Sequence, residues 1–287
     1  MLKVEVSSFS KISSFDRSKP CVFTFILTPD SHSSLNIHES PATLLLPIIN
    51  SYKTVSSMKD LLDGESVNNI RIYDTDHNLV TTQDMTFANY LTYISSGEAA
   101  ERDMYWAYAR DLRPSQLDEF FFRVEDVLGL SPSPPLTGWV GSEHTEQLHY
   151  DDEDNLHLML HGQKSWHIFP PNTALQYPSF RSLLRSSDQN GSQLVQPDPC
   201  TSPLDAAAVQ QSQLSPIMVT LSPGDLLYLP AAWSHQVQSL PGSKTSHVLS
   251  VNKFYPTSLF TCARRGSGMA IAKCRAWDLK MKMEGWK

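Results

Sequence analysis

From Thr137 to Tyr255 the chain is a train of short runs rich in β-branched and aromatic residues, parted by tight turns, and no other feature limits its fold so strongly. Leu156–Leu160 alternates Leu, His, Leu, Met, Leu, and Ser165–Phe169 (SWHIF) forms a second run. Between them lies His161-Gly162-Gln163-Lys164, where a glycine opening a two-residue loop predicts a type II′ hairpin. Ile217–Leu221, Asp225–Leu229, His235–Leu240 and His247–Tyr255 complete the set. Short antiparallel strands joined in this way predict a jelly roll or a related barrel.

The first 104 residues mix helix and strand signals and read as an α/β elaboration packed on that core. Cys21–Leu27 and Asn69–Tyr73 read as strands, and Pro41–Leu62 carries apolar residues at helical spacing. Thr86 is a plausible N-cap for Thr86–Ile94, and Gln116–Leu128 has acids early and Gly129 near its stop, as an amphipathic helix should. The expected division is 1–104, a core over 105–258, and a basic, helical C-terminal tail over 259–287. The class is therefore mainly β with helices, α+β. Residues 172–215, dense in Ser, Gln, Pro and Asp, read as a low-complexity insertion or a loop over the site.

A formal net charge of −7 argues against a chain built to grip nucleic acid through its phosphates. The tail is the exception, with Arg264, Arg265, Lys273, Arg275, Lys280, Lys282 and Lys287 against Asp278 and Glu284; a solvated terminal helix is the plainer reading. The cysteines, Cys21, Cys200, Cys262 and Cys274, form no CxxC pair, which fits reduced thiols. Met1–Pro20 lacks the apolar core of a signal peptide and no run is apolar enough to span a membrane, so an intracellular location, cytoplasmic or nuclear, is expected.

Chemistry concentrates in Leu148–Asn155 (LHYDDEDN), which contains the HxD His149-Tyr150-Asp151. On a strand, residues two apart share a face, so one imidazole and one carboxylate can meet a single metal. Far downstream, Pro230-Ala231-Ala232-Trp233-Ser234-His235 places a histidine at the start of a strand. Two imidazoles and a carboxylate on one face leave positions open, the arrangement of nonheme iron(II) oxygenases. An isolated HxD is more often a pair of surface polar residues, and its weight here comes from its surroundings.

Those surroundings, WVGSEHTEQLHYDDEDNLHLMLHGQKSWHIFPP, then PGDLLYLPAAWSHQV, then LSVNKFY, resemble the JmjC-domain oxygenases over about Tyr105 to Tyr255. The likeness is greatest to the small cupin-like protein hydroxylases, including the factor-inhibiting-HIF and JmjC lysyl-hydroxylase types. The resemblance implies a double-stranded β-helix (jelly roll/cupin) core, iron(II) on His149, Asp151 and His235, 2-oxoglutarate as cosubstrate, and O2. It places the cosubstrate lysine on Lys164, where an inward ammonium needs an anionic partner. It places further cosubstrate contacts on Asn155, Asn252 and Tyr105, with Trp106 and Tyr108 as neighbours of the last. The family's Thr or Ser three residues before the first ligand is replaced here by Glu146, with Thr145 one residue earlier. Either a bulge re-aims Thr145 toward the cosubstrate, or the hydroxyl contact is lost; Glu146 is expected to point away, and His144, His157, His161 and His167 to be structural or superficial.

The implied reaction couples oxidative decarboxylation of 2-oxoglutarate to attack on a C–H bond. A protein side chain is the first choice of substrate, since no Cys/His reader module is present. N-methyl-lysine demethylation and RNA-base hydroxylation are the same chemistry elsewhere. A catalytically inactive cupin serving as a binding module is the rival of another class. The resemblance also implies pairing of two copies through the C-terminal region, with Met269–Met283 as the candidate helix.

Overall fold

The computed structural model describes residues 1–6, 8–12, 15–27, 40–60, 66–74, 79–109, 116–130, 134–171 and 216–283. The expected insertion at 172–215 lies outside them. In chain order the regular elements are β1 (Leu2–Val6), β2 (Cys21–Phe25), α1 (Pro41–Ser51), β3 (Ser66–Tyr73), β4 (Leu79–Thr86), α2 (Phe87–Ser96), α3 (Glu98–Glu101), β5 (Met104–Ala109) and α4 (Gln116–Leu128). There follow β6 (Thr137–Gly141), β7 (His144–His149), β8 (Glu153–His161), β9 (Gln163–Phe169), β10 (Ile217–Leu221), β11 (Asp225–Leu229), β12 (Ser234–Leu240), β13 (Val248–Pro256), α5 (Leu259–Arg264) and α6 (Gly268–Met283).

Two sheets form. One is nine-stranded in the order β1-β2-β11-β8-β13-β6-β5-β3-β4, and the other is four-stranded in the order β10-β9-β12-β7. They pack face to face through an apolar cluster that takes Val22, Met159, Leu227 and Val248 from the first and Trp166, Ile168, Leu221 and Val237 from the second. The β-rich fold with added helices is thus the mixed α+β cupin arrangement. Strands from the N-terminal region join the large sheet directly, β1 and β2 at one edge and β3 and β4 at the other.

Alternation along β8 explains why that strand is buried on both sides. Leu156, Leu158 and Leu160 face the main core, which also holds Leu45 and Ile48 of α1 and Phe120, Phe121 and Val124 of α4. Asn155 and His157 face the cavity between the sheets. Thr86 caps α2 by accepting a hydrogen bond from the Asn89 amide at 3.2 Å, a contact worth about 1 kcal/mol.

The predicted hairpin at Gly162 does not form. β8 pairs with β11 and β13, whereas β9 pairs with β10 and β12 in the other sheet. Gly162, at φ +69°, turns a corner between the sheets, and a Cβ there would lie 2.9 Å from Val248 Cγ2. A II′ sequence signal specifies the bend but not the partner of the strand that leaves it.

Two arginines of the basic tail pack back on the body. Arg265 donates two hydrogen bonds to the buried Asp154 carboxylate, at 2.8 and 2.9 Å, and Arg275 reaches Asp152 at 3.3 Å. These arginines are therefore engaged by acids of the loop and strand next to His149, which corrects their reading as a solvated face. No described helix is long and apolar enough to cross a membrane.

Candidate metal and cosubstrate site

Between the sheets lies a cavity of about 250 Å3. That is just under the range of roughly 300–1,000 Å3 common for drug-sized ligands, and it suits a small metabolite. His149 ends β7 and stands opposite His235 of β12, their ring centroids 4.2 Å apart. Asp151 lies just beyond the end of β7 rather than on the strand as expected. Tyr150, between the two ligands, packs with Ala231, Cys262 and Ile271, and its hydroxyl donates to the Ala270 carbonyl at 3.3 Å. Ligand atoms from His149, Asp151 and His235 all lie within 4.8 Å of one another.

The backbone before His235 holds this geometry. Ala232, in the left-handed region at φ +68°, donates its N–H to the Asp151 carbonyl at 2.8 Å, and the Ala231 N–H donates to Asp154 Oδ1 at 2.9 Å. The turn before one histidine is thereby tied to the loop after the other. His235 Nδ1 lies 3.0 Å from the Trp233 carbonyl, so it carries the proton and leaves Nε2 free, 3.7 Å from Asp151 Oδ2. Burial and the neighbouring His149 push the His235 pKa far below its ordinary value, which keeps the ring neutral, the form a metal takes.

The sheet register arranges the cavity wall in rows. Below the His149–His235 pair comes Glu146 of β7 with Val237 of β12 and Trp166 of β9, and deeper still His144 with Ser239 and Lys164. Lys164 is 3% exposed, and its ammonium donates to the Tyr105 hydroxyl at 2.8 Å. Among the described residues no carboxylate oxygen comes within ion-pair distance of it. Burial pushes its pKa down to about 7, with Glu146 working weakly the other way. Tyr105 is itself stacked on His144, the centroids 4.2 Å apart.

Gly141 makes room for Tyr105. The two face each other in the β5–β6 register, and a Cβ on Gly141 would overlap the Tyr105 ring. Gly141→Ala is expected to displace that ring and lower affinity for a cavity ligand about tenfold, with a stability loss of about 1–3 kcal/mol from overpacking. Calorimetric titration and thermal unfolding of the variant would check both.

Trp106 faces the opposite side of β5, against Phe87 and Tyr90 in the main core, which singles out Tyr105 on the cavity side. Asn155 lines the cavity, and Asn252 stands behind it: Asn252 Nδ2 donates to Asn155 Oδ1 at 3.0 Å, while Asn252 Oδ1 accepts from Trp139 Nε1 at 2.9 Å. Asn252 thus orients Asn155 rather than lining the cavity itself.

One expectation about β7 is overturned: Glu146 lines the cavity instead of pointing away. Thr145, beside it, is not among the lining residues, which agrees with the alternative in which its hydroxyl contact is lost. The pairing of β7 with β12 shifts between His235 and Val237, so three residues of β7 span two of β12. On a regular strand residues three apart face opposite ways; the bulge puts Glu146 and His149 on the same side. His144 and His157, read as structural or superficial, also line the cavity, as do Arg71 and Trp166. The alternation of NIRIY, with Ile70 buried in the core, was the one sequence signal that set Arg71 on the other face.

The donor set and its setting fit a resident metal and a small anion. Two imidazoles with one carboxylate are an iron(II) set that leaves sites open, and a buried ammonium held by a neutral hydroxyl lacks the counter-charge it needs.

Facing sheets with such a cluster between them define a cupin-type architecture. The chain belongs to the cupin-like domain family, whose model matches residues 14–259. It is 34% identical to HSPB1-associated protein 1 of Mus musculus over 151 residues, 49% of this chain and 30% of that protein. It is 32% identical over 100 residues to the bifunctional lysine-specific demethylase and histidyl-hydroxylase NO66 of Culex quinquefasciatus, 35% of this chain and 12% of that one. Lysine-specific demethylase JMJ32 of Arabidopsis thaliana is 26% identical over 152 residues, covering 45% and 44%. The chain thus spans less than half the length of these curated relatives.

Proposed function

We propose that this protein is an Fe(II)- and 2-oxoglutarate-dependent dioxygenase that hydroxylates a side chain of a protein substrate. The observation that carries the reading is one cavity holding both a His149–Asp151–His235 cluster and a buried ammonium short of an anion. When bound, the iron would supply oxygen activation coupled to decarboxylation of 2-oxoglutarate to succinate and CO2, one oxygen atom going to the substrate. His149 and His235 would hold the metal as neutral imidazoles, with Asp151 contributing a charge. Lys164 and the Tyr105 hydroxyl would clasp the remote carboxylate, and Asn155, steadied by Asn252, would donate to the end nearer the metal. Trp139 and Trp166 would limit water beside the ligand.

Names among the relatives include both a hydroxylase and demethylases, which supports a protein substrate and keeps N-methyl-lysine oxidation as a second reading. Anaerobic titration with Fe(II) and 2-oxoglutarate should develop the weak visible charge-transfer band of a keto-acid chelate. A flat spectrum at saturating cosubstrate would overturn the proposal and favour an inactive binding module. Mass spectrometry of candidate partners then separates the two reactions, by gain of one oxygen atom or loss of a methyl group.

A further inference from the structure

Among the described lining residues, Glu146 is the one carboxylate outside the His149–Asp151–His235 cluster, and it opposes a diacid. Its row lies between the His149–His235 pair and the row of Lys164, and inward rows two residues apart on a sheet are about 6.6 Å from one another. A ligand reaching from the metal cluster to the Lys164 ammonium must pass the Glu146 carboxylate.

That carboxylate is not a passing rotamer. His144 Nε2 lies 3.3 Å from Glu146 Oε2, and His144 Nδ1 lies 2.6 Å from Asp103 Oδ1. The His144 ring is 1% exposed and wedged between Tyr105 and Tyr73. A buried imidazole bridging two carboxylates fixes the position of both. Burial by itself would raise the Glu146 pKa; the hydrogen bond and charge of His144 oppose it and hold the carboxylate below its usual range. The side chain keeps 25% exposure, all the opening a cavity ligand needs to feel its charge.

We infer that Glu146 is a specificity-determining residue that weakens the hold of this cavity on dicarboxylates, setting a high threshold concentration for cosubstrate, and that the Asp103–His144 pair positions it to do so. The inference rests on the 2-oxoglutarate reading above and deepens it. A unit charge at such separations in a partly screened site changes binding by an order of magnitude or more. Arg71, which also lines the cavity, offsets part of this but stands on another strand, β3.

Calorimetric titration of the Mn(II)-loaded protein tests it without turnover. Glu146→Gln keeps an acceptor for His144 and removes the charge; Glu146→Ala removes both. Each is expected to bind 2-oxoglutarate about tenfold more tightly than wild type. The gain should be smaller for 2-oxopentanoate, which has the same chain length without the remote carboxylate, because half of the repelled charge is gone. Unchanged or weaker binding in both variants, or an equal gain for 2-oxopentanoate, overturns the inference. If wild type binds 2-oxoglutarate and loses it in Lys164→Met while the Glu146 variants match wild type, this inference alone falls. If no form binds the diacid, the cosubstrate reading falls and takes the inference with it.

Discussion

Asp151→Ala protein is expected to fold normally and to lose 2-oxoglutarate turnover altogether. The Asp151 carboxylate is partly exposed, 23% for the side chain, and burial keeps its neighbour His235 neutral. Removing it therefore leaves no buried charge unpaired, and the melting temperature should move little, as for a surface change within about ±0.5 kcal/mol. A metal held by this cluster would lose its one anionic ligand. Loss of an outer-shell partner already costs 10–100-fold in metal affinity, so loss of this ligand should exceed about a hundredfold. Fe(II) affinity, succinate formation and thermal unfolding measured on the same preparation would check the three parts. Undiminished decarboxylation in both Asp151→Ala and His235→Ala would remove the cluster from the mechanism.

Lys164→Met should separate stability from binding in the opposite sense. Among the described residues no carboxylate pairs with the buried ammonium, and burial lowers its pKa from 10.5 to about 7 in the folded protein. Below about pH 7 both folded and unfolded chains hold the proton, and the cost of burying the charge is present in full. Between about 7 and 10.5 the unfolded chain binds more protons, so stability rises with pH across that window. The ligand-free wild type is therefore destabilised at pH 7 by an amount on the order of a few kcal/mol, and an apolar methionine of similar length should recover part of it. The same change removes the clasp for the remote carboxylate, for an expected loss of about a hundredfold in 2-oxoglutarate affinity, the worth of one charge-assisted hydrogen-bonded contact. Urea unfolding at pH 6.5 and pH 9.5 without ligand, paired with binding isotherms, gives both numbers. A variant less stable than wild type at pH 6.5 would mean that Lys164 already has its counter-charge.

Local patterning carried much of this protein. Strand alternation sets Asn155 and His157 on one face of β8 and the leucines on the other, and it turns Tyr105 to the cavity and Trp106 to the core. The spacing of HxD and of His235 brought together donors that the fold does bring together, although Asp151 sits past its strand. Capping by Thr86 and the span of Gln116–Leu128 were likewise readable, because they depend on neighbours within one turn.

What the sequence determined by itself is the kind and order of the groups available: two imidazoles, a carboxylate and a lysine, on strands of period two. What only tertiary structure decided is which way Glu146 faces, which sheet β9 joins after Gly162, and which acids hold Arg265 and Arg275. Each of those is set by hydrogen-bond register or charge pairing with a segment distant along the chain. β7 meets its bulge only against β12, some ninety residues later, and nothing within HTEQLH encodes that slip.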